Sequence, residues 1–142
     1  MSGAMGSDGF VFLQPDAHLT PAEVERFLNL LNNEIARAQR YLRNAREREL
    51  DARKIYQRDR DRLLLSDGCP NVGRAAGDVT VAERDAWINT QLDTELWIYK
   101  TAKVQREDAE SYVWAIKDQI EVLRSIGVLA RQAFDLSGRG TR

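Results

Sequence analysis

The sequence predicts an all-α fold: a long antiparallel helical hairpin of coiled-coil character, closed by a short C-terminal helix and built to oligomerise. Three observations predict it. Two stretches, Thr20 to Leu65 and Thr80 to Ser125, carry apolar residues at alternating steps of four and three. A glycine-rich segment, Ser66–Val79, separates them and suits neither helix. A hairpin that long and thin cannot bury its apolar surface alone, so copies of itself or a partner must cover the remainder.

In chain order, residues 1–7 read as a cloning leader. They lack the basic start and apolar run of a signal peptide. Residues 8–19 form a short arm in which Phe10 to Leu13 are apolar, bounded by Gly9 and Pro15. The arm either folds back on the hairpin or exchanges with a neighbouring subunit. The hairpin domain with its short last helix covers 20–136, and 137–142 is a flexible basic tail.

Helix one begins at a capping box: Thr20 caps, Pro21 suits the first turn and Glu23 stands three residues on. Its seam reads Val24, Leu28, Leu31, Ile35, Ala38, Leu42, Ala45, Glu49, Ala52, Tyr56, Asp59 and Leu63, interrupted only by Glu49 and Asp59. At about 1.5 Å per residue the helix is roughly 70 Å long. Helix two repeats the start with Thr80 and Glu83. Its seam, Ile88, Leu92, Glu95, Tyr99, Ala102, Arg106, Ala109, Val113, Ile116, Ile120 and Leu123, is broken by Glu95 and Arg106.

Beyond Leu123, Gly127 predicts a kink or stop, at a cost of about 1 kcal/mol relative to alanine inside a helix. A second stripe then appears: Val122, Ile126, Leu129, Ala133 and Leu136, widened by Phe134. A face too wide for one seam is what an oligomer interface requires. The alternative is that the last helix folds back on its own hairpin or on Phe10 to Leu13.

Composition narrows the functional classes. At 142 residues, with 43% apolar and 30% charged content, the chain reads as one helix-rich soluble domain at most. No segment approaches the roughly 20 apolar residues of a membrane span. Cys69 is alone, so no internal disulfide forms, and with His18 the sole histidine no zinc site can be built. A reducing, cytoplasmic setting follows. Ser66–Gly77 has no phosphate-loop motif, and no carboxylate pair is marked for acid–base work. The chain therefore reads as non-enzymatic, with no cofactor and no metal.

One positive signal is charge distribution. The net charge is −1, yet residues 37–62 carry ten cations against five acids, and nine of the ten are arginine. Guanidinium favours phosphate or carboxylate through planar two-pronged hydrogen bonds. Arg46, Arg53, Lys54, Arg58, Arg60 and Arg62 are the candidate phosphate contacts, and Tyr41, Tyr56, Trp97 and Trp114 offer stacking surfaces for single-stranded bases. Residues 67–100 are net acidic, and antiparallel pairing brings them beside the arginines. Neutralisation there, or local pairs such as Glu49–Arg53 and Asp59–Arg62, is the competing explanation.

Three further features carry a resemblance. The basic helix contains Leu50-Asp-Ala-Arg53 and ends in Leu65-Ser-Asp-Gly68. The following long helix bears Tyr112 and Trp114. The closing segment, Leu123-Arg-Ser-Ile-Gly-Val-Leu-Ala-Arg131, sets a basic residue and a glycine before an apolar helix. Over residues 40–136 this arrangement resembles the phage recombination mediators of the UvsY type. Those small helical proteins form rings, bind single-stranded DNA and help load a RecA-type recombinase onto strands covered by single-strand-binding protein. The resemblance implies the same role, those partners and a host-cytoplasm location. The family's basic motif has lysine where this chain has Asp51, so a DNA contact carries over at Arg53 alone. The alternative is a coiled-coil interaction module, a scaffold or inhibitor, with no nucleic-acid role.

Overall fold

The computed structural model describes Phe12 and residues 19–139. The regular elements among them are helices: α1, Pro21–Leu64; α2, Val81–Gln91; and α3, Asp93–Arg139. The expectations for residues 1–7, for the arm apart from Phe12 and Leu19, and for residues 140–142 lie outside the described residues.

Both predicted helix starts form. The Thr20 hydroxyl accepts the Glu23 amide at 3.3 Å and donates to Glu23 Oε1 at 2.9 Å. At Thr80, in extended backbone, the hydroxyl accepts the Glu83 amide at 3.2 Å. Each cap satisfies a donor that the first turn cannot satisfy internally. At the far end of α1, the Ser66 hydroxyl and amide both donate to the Leu63 carbonyl, at 2.6 and 3.1 Å. The connecting loop is closed by the Val79 amide on the Asn71 carbonyl at 2.9 Å and by an isolated bridge between Val72 and Val79. Gly77 sits at φ 88°, a conformation that side chains disfavour.

The predicted seams are the buried ones. Every α1 position from Val24 to Leu63 in that series is buried or half-buried, and so is every position from Ile88 to Leu123. Leu31, Ile88, Ile116 and Leu123 are the largest fully buried side chains.

The chain divides into two compact units. The first combines the described residues up to Arg43 with those from Glu107 onward. Its core gathers Val24, Leu31, Ala38 and Leu42 with Ala109, Val113, Ile116, Ile120 and Leu123. Tyr112 is buried there and donates its hydroxyl to Glu34 Oε1 at 2.5 Å. The Phe12 ring meets the Tyr112 ring edge-on, with centroids 6.2 Å apart, so at this residue the arm folds back. The second unit is Asn44–Arg106, with Ala45, Ala52, Ile88, Leu92 and Ala102 in its core.

Four expectations are corrected. The second helix is not continuous from Thr80: it breaks at Leu92, whose dihedrals (φ −108°, ψ 30°) separate α2 from α3. Just before the break, Thr90 donates its hydroxyl to the Ala86 carbonyl at 2.8 Å, a back-bond that bends helices. Gly127 neither kinks nor stops the chain. It is a buried helical residue, and a Cβ there would stand 3.1 Å from Val24 Cγ1. Accordingly there is no separate short C-terminal helix, because Val128 to Leu136 continue α3. The start of the supposed tail, Ser137 to Arg139, is helical as well.

Candidate nucleic-acid interface

All six candidate phosphate contacts belong to the Asn44–Arg106 unit, on the second half of α1. Helical geometry sorts them into two rows. A step of seven residues is nearly two full turns, so Arg46, Arg53 and Arg60 lie on one flank of the seam. Arg48, Ile55 and Arg62 form a second row on the opposite flank, with Arg58 close beside it. Lys54 points away from both. Five of the six are exposed, and Arg60 is half-buried.

On the first flank, charge is partly matched. Arg60 Nη2 donates to Asp85 Oδ1 at 3.2 Å, and Arg84 Nη2 donates to the same oxygen at 3.4 Å. Arg84 Nε is buried with no hydrogen-bond partner among the described residues. Here the acidic stretch does meet the basic one, as the competing explanation required for Arg60. Nearby, the two polar interruptions of the seams find each other. Arg106 Nε donates to Glu49 Oε2 at 2.6 Å, and Nη2 donates to Oε1 at 3.3 Å. Both side chains are largely covered (21% and 18% exposed). The guanidinium hydrogen bond, helped by the charges of Arg106, Lys103 and Arg53, holds the Glu49 carboxyl below its ordinary pKa against a smaller opposing effect of burial. The expected Glu49–Arg53 pair is thus replaced by one across the two helices, with Arg53 contributing only at longer range.

On the second flank, Arg58 Nε donates to Asp59 Oδ1 at 3.2 Å, and Arg62 Nη1 lies 3.9 Å from the same oxygen. That confirms the expected Asp59–Arg62 proximity and adds Arg58 to it. Arg58 and Arg62 remain 55% and 72% exposed.

The aromatic candidates separate as clearly. Tyr56 is half-buried, donates its hydroxyl to Asn89 Oδ1 at 2.5 Å and packs its ring 6.0 Å from that of Tyr99. A base cannot stack on a ring so engaged, so Tyr56 is removed from the stacking set. Tyr41 is half-buried. Trp97 and Trp114 are exposed, and in the other unit Lys117 Nζ stands 5.0 Å from the Trp114 ring.

Beside Trp97 lies a groove of about 470 Å³ that the sequence reading did not identify. Ile55 and Ala52 of α1 and Ile98, Thr101 and Ala102 of α3 line it, with Arg48 and Asp51 at its edge. Its signal was present: Ile55 and Trp97 are large apolar residues off both seams, and Ile55 is seven residues from arginine on either side.

Among the described residues, no group of three or more His, Cys, Asp or Glu side chains is placed to hold a metal ion, and no helix is long and apolar enough to cross a membrane. No protein-family model matches the chain, and neither the curated proteins nor the solved structures yield a match.

Proposed function

We propose that this chain is a non-enzymatic single-stranded DNA-binding accessory factor for homologous recombination, a recombinase-loading mediator of the UvsY type. It acts as a cytoplasmic homo-oligomer of antiparallel helical hairpins, in the host cytoplasm if phage-encoded. A RecA-type recombinase and single-strand-binding protein are its proposed partners. The pairings within each unit support the hairpin: Glu49 with Arg106 and Tyr56 with Tyr99 in one, Val24 with Gly127 and Glu34 with Tyr112 in the other. Each step up α1 is a step down α3.

The observation that carries the DNA reading is a local surplus of guanidinium. Asp59 serves both Arg58 and Arg62, and Asp85 serves both Arg60 and Arg84. Exposed Arg53 and Lys54 add to it. Guanidiniums that share a carboxylate keep donors for phosphate, and exposed ion pairs of this kind contribute only about 0–1 kcal/mol each, so exchanging them for a phosphate costs little.

The test is fluorescence anisotropy with a labelled single-stranded oligonucleotide at low and moderate salt, beside light scattering for mass. With about four phosphate contacts, affinity should fall on the order of 50-fold between 50 and 200 mM salt. No binding at low salt would sink the proposal. It would leave the second reading, a coiled-coil protein-interaction module, which the cross-helix pairs Arg106–Glu49 and Arg60–Asp85 favour by giving those arginines a structural role.

A further inference from the structure

No ion pair described above uses the groove beside Trp97, and of its lining only Ala52 and Ala102 belong to the seams. Trp97 is 70% exposed, Ile98 53% and Ile55 45%, and all three border the same concavity. An indole left that open beside an apolar groove offers a flat stacking platform, and the groove is large enough for a planar ring system.

Charge complementarity selects the occupant. Along α1, Arg48, Ile55 and Arg62 stand in one row at intervals of about 10 Å, with Arg58 one turn beyond Ile55. The apolar surface is therefore bracketed by guanidiniums along its own helix. Asp51 at the groove edge repels a phosphate, so a polyanion would keep its backbone on the arginine row and turn an uncharged ring inward. Single-stranded nucleic acid has that layout, with charge along one edge and stacking rings on the other. An apolar peptide would leave the arginine row without a counterpart.

We propose that this groove is a stacking subsite for a nucleobase of single-stranded nucleic acid. Trp97 supplies the ring face, Ile55 and Ile98 form the walls, and Arg48, Arg58 and Arg62 hold the flanking phosphates. The assignment rests on the single-strand-binding reading above and adds the feature that separates it from plain charge attraction.

The test uses the full chain with two labelled strands of equal length: an oligothymidylate and an abasic deoxyribose-phosphate strand. Wild type should bind the oligothymidylate about ten- to a hundredfold more tightly than the abasic strand. Trp97→Ala should lose that preference while binding the abasic strand as before, and Trp97→Phe should retain most of it. The salt slope should be the same for wild type and Trp97→Ala, since the phosphate contacts are untouched. Trp97 is exposed, so its replacement leaves the fold intact. If wild type binds both strands equally, or Trp97→Ala weakens both alike, the stacking subsite is overturned while the single-strand reading stands. If neither strand binds, the single-strand reading falls as well. A drop in oligomer mass on Trp97→Ala would assign the groove to a second copy and overturn the proposal.

Discussion

Glu49 and Arg106 each interrupt an otherwise apolar seam, and each would be costly to cover alone. Paired, they form a two-pronged contact with a shortest distance of 2.6 Å. Because folding lowers the Glu49 pKa below its ordinary 4.5, the unfolded chain takes up this proton first as pH falls. The contribution of the pair is therefore complete above about pH 5 and is lost as pH drops through the lowered folded value. Glu49→Gln should cost about 1–3 kcal/mol at pH 7. The difference from wild type in urea unfolding, at fixed protein concentration, should be smaller at pH 3 than at pH 7. A gap of equal size at both pH values would refute a charged pair. Both residues stand out in the sequence as seam breakers, yet their pairing was not legible there. Local spacing offered Arg53 four residues from Glu49, while the true partner lies 57 residues away. Only the relative register of two helices identifies it, and a repeating seam permits several registers.

At the scale of elements, periodicity located the seams, and capping chemistry located the starts of α1 and α2 within a residue. What it misjudged was interruption. Gly127 carries a propensity penalty, but the penalty is outweighed because its missing side chain lets Val24, itself 4% exposed, pack against the backbone of α3. The break instead falls at Leu92, a good helix former, where propensity gives no warning. A double-mutant cycle tests the Gly127 argument. Gly127→Ala should gain about 1 kcal/mol in helix propensity, but its Cβ must push back a branched valine with a stiff χ1. The net should be a loss of about 1 kcal/mol in the wild-type background, since overpacking costs about 1–3 kcal/mol. In a Val24→Ala background the same change should stabilise by about 1 kcal/mol, giving a coupling near 2 kcal/mol by thermal or chemical unfolding. Independent effects at the two positions would show that the close approach does not determine the glycine.

For the whole molecule, the proposed assembly turns on how far α3 outlasts α1. Val24 meets Gly127 in the fourth residue of α1, and α3 then continues to Arg139, about 18 Å further. Val122, Ile126, Leu129, Ala133 and Leu136 recur at steps of four and three, which places them in one row separate from the buried seam. Leu129 and Leu136 are 65% and 70% exposed, and Ile126 is half-buried. Phe134, grouped with them in the sequence reading, lies off that row and borders a pocket with Thr20, Pro21 and Ala22 at the start of α1. An apolar row with heptad spacing and no covering helix among the described residues is half of a coiled-coil contact. Leu129→Glu places a charge in its middle. Light scattering should then report a fall from the oligomer to the single chain, while far-ultraviolet circular dichroism keeps its helical amplitude, because the residue contributes little to the internal core. DNA affinity should fall in the same variant, by about a hundredfold or more, because separate chains lose the avidity of linked sites along one strand. Raising the salt should weaken DNA binding in wild type but leave its mass unchanged, since apolar contacts are not screened. An unaltered mass for Leu129→Glu would refute this row as the interface.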